Sequence, residues 1–392
     1  MDTVARATIV FATVLMVGAA DAGAAVRVVD VPGVSGRSVS IVAAGRLADG
    51  GAIVAGTLTP RGSRRTRPRI VVMRLRHDGL IDTSFGDSGV KTFQLARRTG
   101  RGGSRATTVA VDPARGRSWI GAAVGGKSTG AVLALDARGR RVQAFGSASV
   151  VRFDGDGTAP TAIAYGGGRL AVAATSRPCR GCQVLTLDPA SGARRAQAPL
   201  APVAGADAGR CAQAQVTSLA LVGANRLVLG GSGGDACPSR VVIRDGALGP
   251  VAVWDPGGEP ARTVVAEGGP PLDLCVGIER AGASRLVRVG AGSADGAPST
   301  LPGPTWTPVA GSLRAVVSLG DRACGALLLR ARATARVLQA ADGDDKPSLL
   351  ELPRGLRAGT IYRCKRHLLV VGTRRADGVQ RAAVAVTLIN RR

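Results

Sequence analysis

Aromatic side chains and histidines are scarce in this chain. Only 3% of its 392 residues are Phe, Trp or Tyr, and His77 and His367 are its two histidines. Only two residues could supply the histidine of a Ser-His-Asp triad, and a multi-histidine metal site is excluded by count. Few aromatics also argue against a sugar-stacking surface and a nucleic-acid stacking platform. The sequence therefore assigns no catalytic residue, metal site or cofactor, and predicts no specific nucleic-acid partner.

Long apolar runs are also missing, apart from one near the N-terminus. Arg6 precedes an apolar run over residues 8–20, and small residues follow as far as Ala25. This order is typical of a signal peptide, and we place cleavage after Ala24, at the end of residues 1–24. The 13-residue run is too short to span a membrane comfortably. We expect a secreted or cell-envelope protein with no membrane span, whose mature part is residues 25–392.

Acidic residues are outnumbered. The chain has 52 Lys and Arg against 27 Asp and Glu, a formal net charge of +25. Nearly all the excess is arginine, and the densest run is Arg61, Arg64, Arg65, Arg67 and Arg69. Such a run favours binding of a polyanion, for example a cell-wall polymer or an anionic lipid surface. The alternative is that the arginines only solvate the surface of a protein with a GC-rich coding composition.

Apolar segments recur along the chain at a period near fifty residues. Their successive starts are separated by 42 to 66 residues. Each is preceded by another strand-like segment, and several are followed by a further one, as in a propeller or another closed array of sheets. The seven segments are GAIVAG at 51, RSWIGAA at 117, RLAVAAT at 169, RLVLGG at 226, LCVGIE at 274, GALLLR at 325 and HLLVVG at 367.

The first unit, residues 47–94, shows the pattern most clearly. Asp49-Gly50 is a turn, residues 70–75 are a β-branched strand, and residues 89–93 alternate as an edge strand does. With residues 38–43 in front, these segments predict four antiparallel strands in a meander. Such a sheet cannot bury both faces alone and needs neighbouring sheets.

The same unit carries a resemblance to a known family. LADGGAIVAG and RLRHDGLIDTSFGDSGV, within residues 48–90, resemble the delta-60 repeat, a β-propeller-type repeat whose usual form pairs "DGKILVAG" with "RLNPDGSLDTSFG". The chain departs from that form at Arg76-His77 and by an insert at 59–69. The resemblance implies a propeller fold and brings no established activity.

The second unit echoes the end of the first. Phe145, between Ala144 and Gly146, matches Phe85, between Ser84 and Gly86. We therefore predict that Phe145 packs as Phe85 does, through duplication of the unit.

The last unit has room for one more strand. It ends after three strands, and residues 25–30 could supply the fourth and close the ring. We predict an all-β fold, a single β-propeller of seven four-stranded blades closed by an N-terminal strand. Six or eight blades remain open, because residues 259–306 are Pro-rich and irregular.

The seven cysteines favour disulfides in an exported chain. Cys211 and Cys237 fall on one rim of their unit and are a natural pair, and Cys179 and Cys182 form a local pair. The CxxC lacks the context of a thioredoxin-like or zinc site. Cys324 can pair with either of its neighbours, Cys275 or Cys364, which leaves the other as the free thiol.

The function that these features favour is non-enzymatic. We expect an interaction or scaffold module, monomeric, with a cell-envelope polymer or protein as its partner. The alternative is a propeller enzyme, a lyase or hydrolase, with carboxylates at the channel mouth that the sequence does not identify. The densest carboxylate groups, Asp154 with Asp156 and residues 342–345, are predicted as solvated turns.

Overall fold

The computed structural model of the protein is a seven-bladed β-propeller with four-stranded blades, as the repeat pattern predicts. The fold class is therefore confirmed, and the alternatives of six or eight blades are wrong. The structure describes residues 25–28, 37–60, 67–96, 102–125, 129–153, 159–175, 182–199, 215–222, 226–232, 241–248, 250–254, 262–269, 273–280, 283–290, 299–300, 309–320, 323–329, 335–341, 348–364, 367–376 and 379–388.

The first three blades follow a short N-terminal strand, β1 (Ala25–Val28). In each blade the four strands run from the innermost, A, to the outermost, D. Blade 1 is β2 (Arg37–Arg46), β3 (Ala52–Pro60), β4 (Arg69–Leu75) and β5 (Val90–Phe93). Blade 2 is β6 (Ser104–Val111), β7 (Ser118–Val124), β8 (Thr129–Leu135) and β9 (Val150–Phe153). Blade 3 is β10 (Ala159–Gly166), β11 (Arg169–Thr175), β12 (Gln183–Leu187) and β13 (Arg194–Pro199).

Blades 4 and 5 are linked by a β-pairing between Ser232, in the B strand of blade 4, and Arg262, in the A strand of blade 5. Blade 4 is β14 (Gln215–Val222), β15 (Arg226–Ser232), β16 (Val241–Arg244) and β17 (Pro250–Trp254). Blade 5 is β18 (Arg262–Gly269), β19 (Asp273–Arg280), β20 (Ala283–Gly290) and β21 (Ser299–Thr300), with β22 (Val309–Ala310) also paired to β20.

The last two blades complete the order of the chain. Blade 6 is β23 (Ser312–Gly320), β24 (Ala323–Leu329), β25 (Ala335–Ala341) and β26 (Ser348–Glu351). Blade 7 is β27 (Leu356–Cys364), β28 (His367–Ala376) and β29 (Val379–Leu388), with β1 beside β29. All seven predicted apolar segments are B strands.

Strand β1 pairs with the last strand of the chain. Ala25 lies opposite Val386 and Val28 opposite Ala383, in an antiparallel register. With β1, the sheet of blade 7 contains four strands, in the order β1, β29, β28 and β27.

The alternation of side chains along each B strand explains how a blade buries both faces. In β3, Ile53 and Ala55 pack toward blade 2, whereas Ala52 and Val54 pack toward blade 7. The described residues form seven apolar clusters of this kind, one between each successive pair of blades. The cluster between blades 7 and 1 shows that the ring of blades is continuous.

Phe145 packs as Phe85 does, so the predicted duplication is visible in the packing. Both rings are fully buried. Phe85 lies against Gly139 in the C–D turn of blade 2, and Phe145 lies against Gly192 in the C–D turn of blade 3. Each phenylalanine therefore joins its blade to the next.

A disulfide joins blades 5 and 6 through Cys275 of β19 and Cys324 of β24, whose Cα atoms are 5.8 Å apart. Of the two partners predicted for Cys324, the structure selects Cys275. The alternative in which Cys275 is the free thiol is therefore wrong, and a bond between Cys324 and Cys364 is excluded. Both cysteines lie near the starts of their B strands and are buried in the apolar cluster between the two blades.

The other predicted disulfides fall largely outside the described residues. Cys182 is disulfide-bonded. Its predicted partner, Cys179, and the predicted pair of Cys211 and Cys237 are outside the described ranges.

Candidate functional site: an arginine sector on one rim

The meander places every connection on one of two rims. Successive strands are antiparallel, so the A–B and C–D turns share one rim, named here the turn rim. The B–C loops and the crossings from a D strand to the next A strand share the opposite one, named here the crossover rim. In the described chain, carboxylates build the turns of the turn rim, whereas a group of arginines lies on part of the crossover rim.

A group of arginines lies on the crossover rim of blades 7, 1 and 2. They lie at the starts of A and C strands, at the ends of B strands and in the crossing between blades 6 and 7. This set is named here the arginine sector. Its described members are Arg37, Arg67, Arg69, Arg105, Arg354, Arg357, Arg374, Arg375 and Arg381.

Several sector side chains are exposed and lack an acidic partner. Arg69, Arg105, Arg357, Arg374 and Arg375 are all exposed. No carboxylate within the described ranges forms an ion pair with any of the five. Their charges are therefore not neutralised by the described part of the chain.

Two members of the sector face each other across a pair of strands. Arg374 of β28 lies directly opposite Arg381 of β29 in the register. Like charges in this arrangement destabilise a sheet. The register therefore places two arginines of the sector opposite each other on the crossover rim of blade 7.

Carboxylates on the turn rim are used to build turns. Asp78, Asp136, Asp188 and Asp245 each open a C–D turn and accept a hydrogen bond from a backbone N–H two residues later. This is the Asx-turn geometry that favours Asp at such positions. These carboxylates therefore hold the C–D turns in shape.

Asp188 shows the electrostatic consequence most clearly. Its Oδ1 accepts the Ser191 backbone N–H at 2.8 Å, and its Oδ2 accepts from the Arg195 guanidinium. Both contacts favour the ionised carboxyl and hold the pKa of Asp188 well below its usual range. The pKa of Asp78 is also lowered, mainly by its hydrogen bond with Arg76. At Asp82 and Asp136 burial raises the pKa, but hydrogen bonds and nearby guanidinium groups together outweigh it, so the pKa of each is lowered.

Asp112 is the most deeply buried carboxylate of the described chain, with 5% of its surface exposed. Its Oδ1 accepts the backbone N–H groups of Ala114 and Arg115, and its Oδ2 accepts the Tyr165 hydroxyl at 3.1 Å. Burial and this hydrogen bond raise the pKa of Tyr165. Tyr165 also stacks on Trp119, with ring centroids 4.7 Å apart. The cluster joins the A–B turn of blade 2 to blade 3, and both Asp112 oxygens are occupied by structural contacts.

The structure places part of the predicted polyanion loop. Arg69 begins β4 and Arg67 precedes it, both on the crossover rim, whereas Arg61, Arg64 and Arg65 lie outside the described residues. Sequence reasoning missed Arg357, Arg374 and Arg375, which follow the loop by about three hundred positions. Only the closed ring of blades brings them beside blade 1.

Other predicted positions are structural or not described. His77 is exposed in the C–D turn of blade 1, and His367 begins β28. Asp154, Asp156 and residues 342–345 lie outside the described ranges. Within the described ranges, no group of three or more His, Cys, Asp or Glu side chains is arranged to hold a metal ion. Within the same ranges, the protein contains no helix able to cross a membrane.

Comparison with solved structures gives the same architecture. The β-propeller domain of Cps50 (Swd1) from Myceliophteria thermophila matches with a TM-score of 0.57 and 13% identity, over 90% of this chain and 100% of that one. The fold is that of a β-propeller. A chain of the Mitotic Checkpoint Complex matches with a TM-score of 0.57 and 12% identity, over 98% and 99% of the two chains.

A third propeller in these comparisons is similar to a lesser degree. The β-propeller domain of the Trilobed protease from Pyrococcus furiosus, described as having an open velcro topology, matches with a TM-score of 0.50 and 8% identity, over 90% and 96% of the two chains. No protein-family model and no curated protein matches the chain. At these identities the likeness shows the fold alone.

Proposed function

We propose that the protein is an exported interaction module that binds an anionic polymer of the cell envelope through the arginine sector. The observation that carries the proposal is the set of exposed arginines on one rim of blades 7, 1 and 2 that have no acidic partner among the described residues. Charges on a continuous surface act together on a repeating anion and give strong, salt-dependent attraction.

The loop of blade 1 extends this surface in sequence. Arg61, Arg64 and Arg65 belong to its B–C connection, and Arg97, Arg98 and Arg101 to the crossing from blade 1 to blade 2. Both connections start and end on the crossover rim.

A non-enzymatic role fits the carboxylates better than a lyase or hydrolase does. Acid–base chemistry at the channel mouth requires carboxylates that can take up and release protons at the substrate. Asp78, Asp136 and Asp188 instead accept backbone N–H groups in turns, and Asp112 holds an A–B turn and Tyr165.

The test measures retention of the mature protein on a cell-envelope fraction of the source organism across a salt gradient. A sector variant, Arg374→Gln with Arg375→Gln, is compared with a charge-matched variant of the turn rim, Arg46→Gln with Arg138→Gln. Both pairs are exposed. We expect the sector variant to elute at lower salt than the wild type, and the matched variant to elute with the wild type or close to it.

Three results would contradict the proposal. Equal shifts of the two variants would show that net charge alone governs retention. Retention that resists high salt would indicate a specific protein partner rather than a polymer. Absence of retention at low salt would remove the envelope as the site of action.

A further inference from the structure

A crevice opens on the outer edge of the ring between blades 1 and 2. Its volume is about 680 Å³, within the range of small-molecule sites. Blade 1 contributes the residues that follow its D strand, and blade 2 contributes its C–D turn and its D strand. The lining includes Gln94, Leu95, Arg141, Ser147, Val151 and Arg152.

Two guanidinium groups line this crevice, and the protein holds both in place. The Arg141 guanidinium lies over the Phe93 ring, with its central carbon 5.7 Å from the ring centroid. Arg152 donates from Nη2 to the Leu95 carbonyl oxygen at 2.9 Å. Each guanidinium has five N–H donors, so most remain available. Both side chains are exposed, and neither pairs with a carboxylate of the described chain.

The repeat of the fold shows that these two arginines are specific to blade 2. Arg141 forms the isolated β-bridge of its blade that Ile81 forms in blade 1. Arg152 occupies the position in β9 that Thr92 occupies in β5, one residue before the phenylalanine that ends the strand. Two equivalent positions of a duplicated unit have therefore diverged to arginine, and both line the same crevice.

Gln94 adds a polar group that the fold leaves without a partner. Its Nε2 and Oε1 atoms are buried and form no hydrogen bond within the described structure. Buried amides are nearly always hydrogen-bonded, because a missing bond leaves the cost of desolvation uncompensated. An amide that can donate and accept beside two guanidinium groups is suited to a ligand that carries both an anion and hydroxyl groups.

The facing wall of the crevice is a tight turn. Gly146, Ser147 and Ala148 form its edge, and Ala148 adopts a positive φ of 51°. The next residue, Ser149, also has a positive φ, 72°, where the equivalent position of blade 1 is Gly89. Ala148 repeats the positive φ of Ser88 in blade 1, 56°, so Ser149 is the position where blade 2 carries strain that a glycine avoids in blade 1. Such strain is concentrated at functional sites.

We propose that the crevice binds an anionic organic molecule, with a carboxylate, phosphate or sulfate group between Arg141 and Arg152. The body of the ligand, the size of one or two sugar rings, lies against Leu95 and Val151. Hydroxyl groups of that body complete the hydrogen bonds of Gln94. The inference rests on the proposed function, since it identifies the acidic unit of the polymer that the protein reads.

The experiment uses monomeric probes and the mature wild-type chain. Glucuronate and glucose 6-phosphate are titrated by calorimetry, with glucose as the neutral match. The crevice variant restores the residues of blade 1, Arg141→Ile with Arg152→Thr, and the matched variant is again Arg46→Gln with Arg138→Gln. Thermal unfolding of each variant checks that the propeller is intact, and Gln94→Leu provides a second variant that changes no charge.

We expect at least one charged probe to bind and glucose not to bind. The crevice variant should bind that probe with an affinity at least about tenfold weaker than the wild type does. The matched variant should bind as the wild type does, and Gln94→Leu should bind more weakly. Equal affinity of wild type and crevice variant would overturn the inference, as would failure of both charged probes at millimolar concentration.

The two proposals can fail separately. Polymer retention that depends on Arg374 and Arg375, without binding of monomers, would support the proposed function and contradict ligand binding in the crevice. Binding of a free monomer without polymer retention would show that the ligand is a soluble molecule. It would then be the proposed function that fails.

Discussion

The ring of Phe85 in blade 1 lies against the α-carbon of Gly139 in blade 2. A Cβ atom built on Gly139 would lie 2.8 Å from Cζ of Phe85. Gly139 also has a positive φ, 75°. The same contact recurs one blade later between Phe145 and Gly192. The Phe-Gly motif that resembles the delta-60 repeat therefore acts between blades, not only within one.

We predict that Gly139→Ala lowers the free energy of unfolding by about 2 kcal/mol more than Gly168→Ala does. Gly168 has a similar φ, 70°, but no atom lies within 4 Å of a Cβ built there. The control therefore carries the backbone strain of about 1 kcal/mol without the overlap with a ring. Denaturant unfolding of both variants measures the difference, and equal losses would contradict a packing role for Gly139.

The facing pair of Arg374 and Arg381 predicts a stabilising substitution. Removing one guanidinium, as in Arg374→Thr, should raise the free energy of unfolding at low ionic strength by about 0.5 kcal/mol, because the like-charge repulsion is lost. The gain should shrink as salt screens the charges. Arg375→Thr is the control, since Arg375 lies opposite Gln380 and no like charge faces it. A salt-independent gain would show that strand propensity, not charge, is the cause.

Asp188 predicts a pH dependence of stability. Its pKa in the folded protein lies below the ordinary value of 3.8, because the Ser191 N–H and the Arg195 guanidinium favour the ionised form. The carboxyl therefore contributes stability above that ordinary value, and the contribution is lost as the pH falls through the folded pKa. We expect Asp188→Asn to be less stable than the wild type by about 1 kcal/mol or less at about pH 7.

The difference between wild type and Asp188→Asn should disappear in acid, once the carboxyl is protonated in both states. Arg195→Gln should show an intermediate loss, since it leaves the backbone contacts in place. Urea unfolding across the pH range measures both. If the difference in the free energy of unfolding persisted unchanged in acid, the stabilisation by Asp188 would not come from its charge.

The cysteine pairing predicts which thiol can be labelled. Cys275 is bonded to Cys324, and Cys182 is also disulfide-bonded. With Cys211 and Cys237 as the remaining predicted pair, the odd seventh cysteine is Cys364. Alkylation of the denatured, unreduced protein should modify Cys364, as peptide mass mapping can show. Label at Cys275 would contradict the structure, and label at Cys211 or Cys237 would contradict the predicted pair.

The disulfide should also stabilise the ring. It spans 49 residues and ties blade 5 to blade 6. A closed loop of this length is worth about 2–4 kcal/mol through the entropy of the unfolded chain. Replacing Cys275 and Cys324 together by serine should lower the free energy of unfolding by that amount, as measured in denaturant. A loss below about 1 kcal/mol would show that packing between the two blades suffices.

The sequence predicts the blades well because each blade depends on local patterns. The seven B strands are short apolar runs with turn residues before them, and Phe145 repeats the surroundings of Phe85 in nearly the same order. These features need no knowledge of distant residues. A last unit of three strands leaves one edge open, and this is why the sequence predicts an N-terminal strand at that edge.

The sites depend on residues that are neighbours only in the folded ring, so they are harder to predict. Arg374 and Arg69 share the crossover rim because blade 7 packs on blade 1, and nothing in the sequence near either residue indicates this. Arg141 and Arg152 look ordinary in a chain so rich in arginine. They stand out only when the register of blade 2 is set beside that of blade 1.

The pairing of β1 with β29 has a consequence for the order of assembly. Strand β1 (Ala25–Val28) is synthesised several hundred residues before its partner β29 (Val379–Leu388). Until then β29 does not exist to receive it, and blades 1 to 6 can form while the first strand waits. A chain that stalls late in synthesis therefore carries an unpaired strand at its front, which other extended chains or a chaperone could take up.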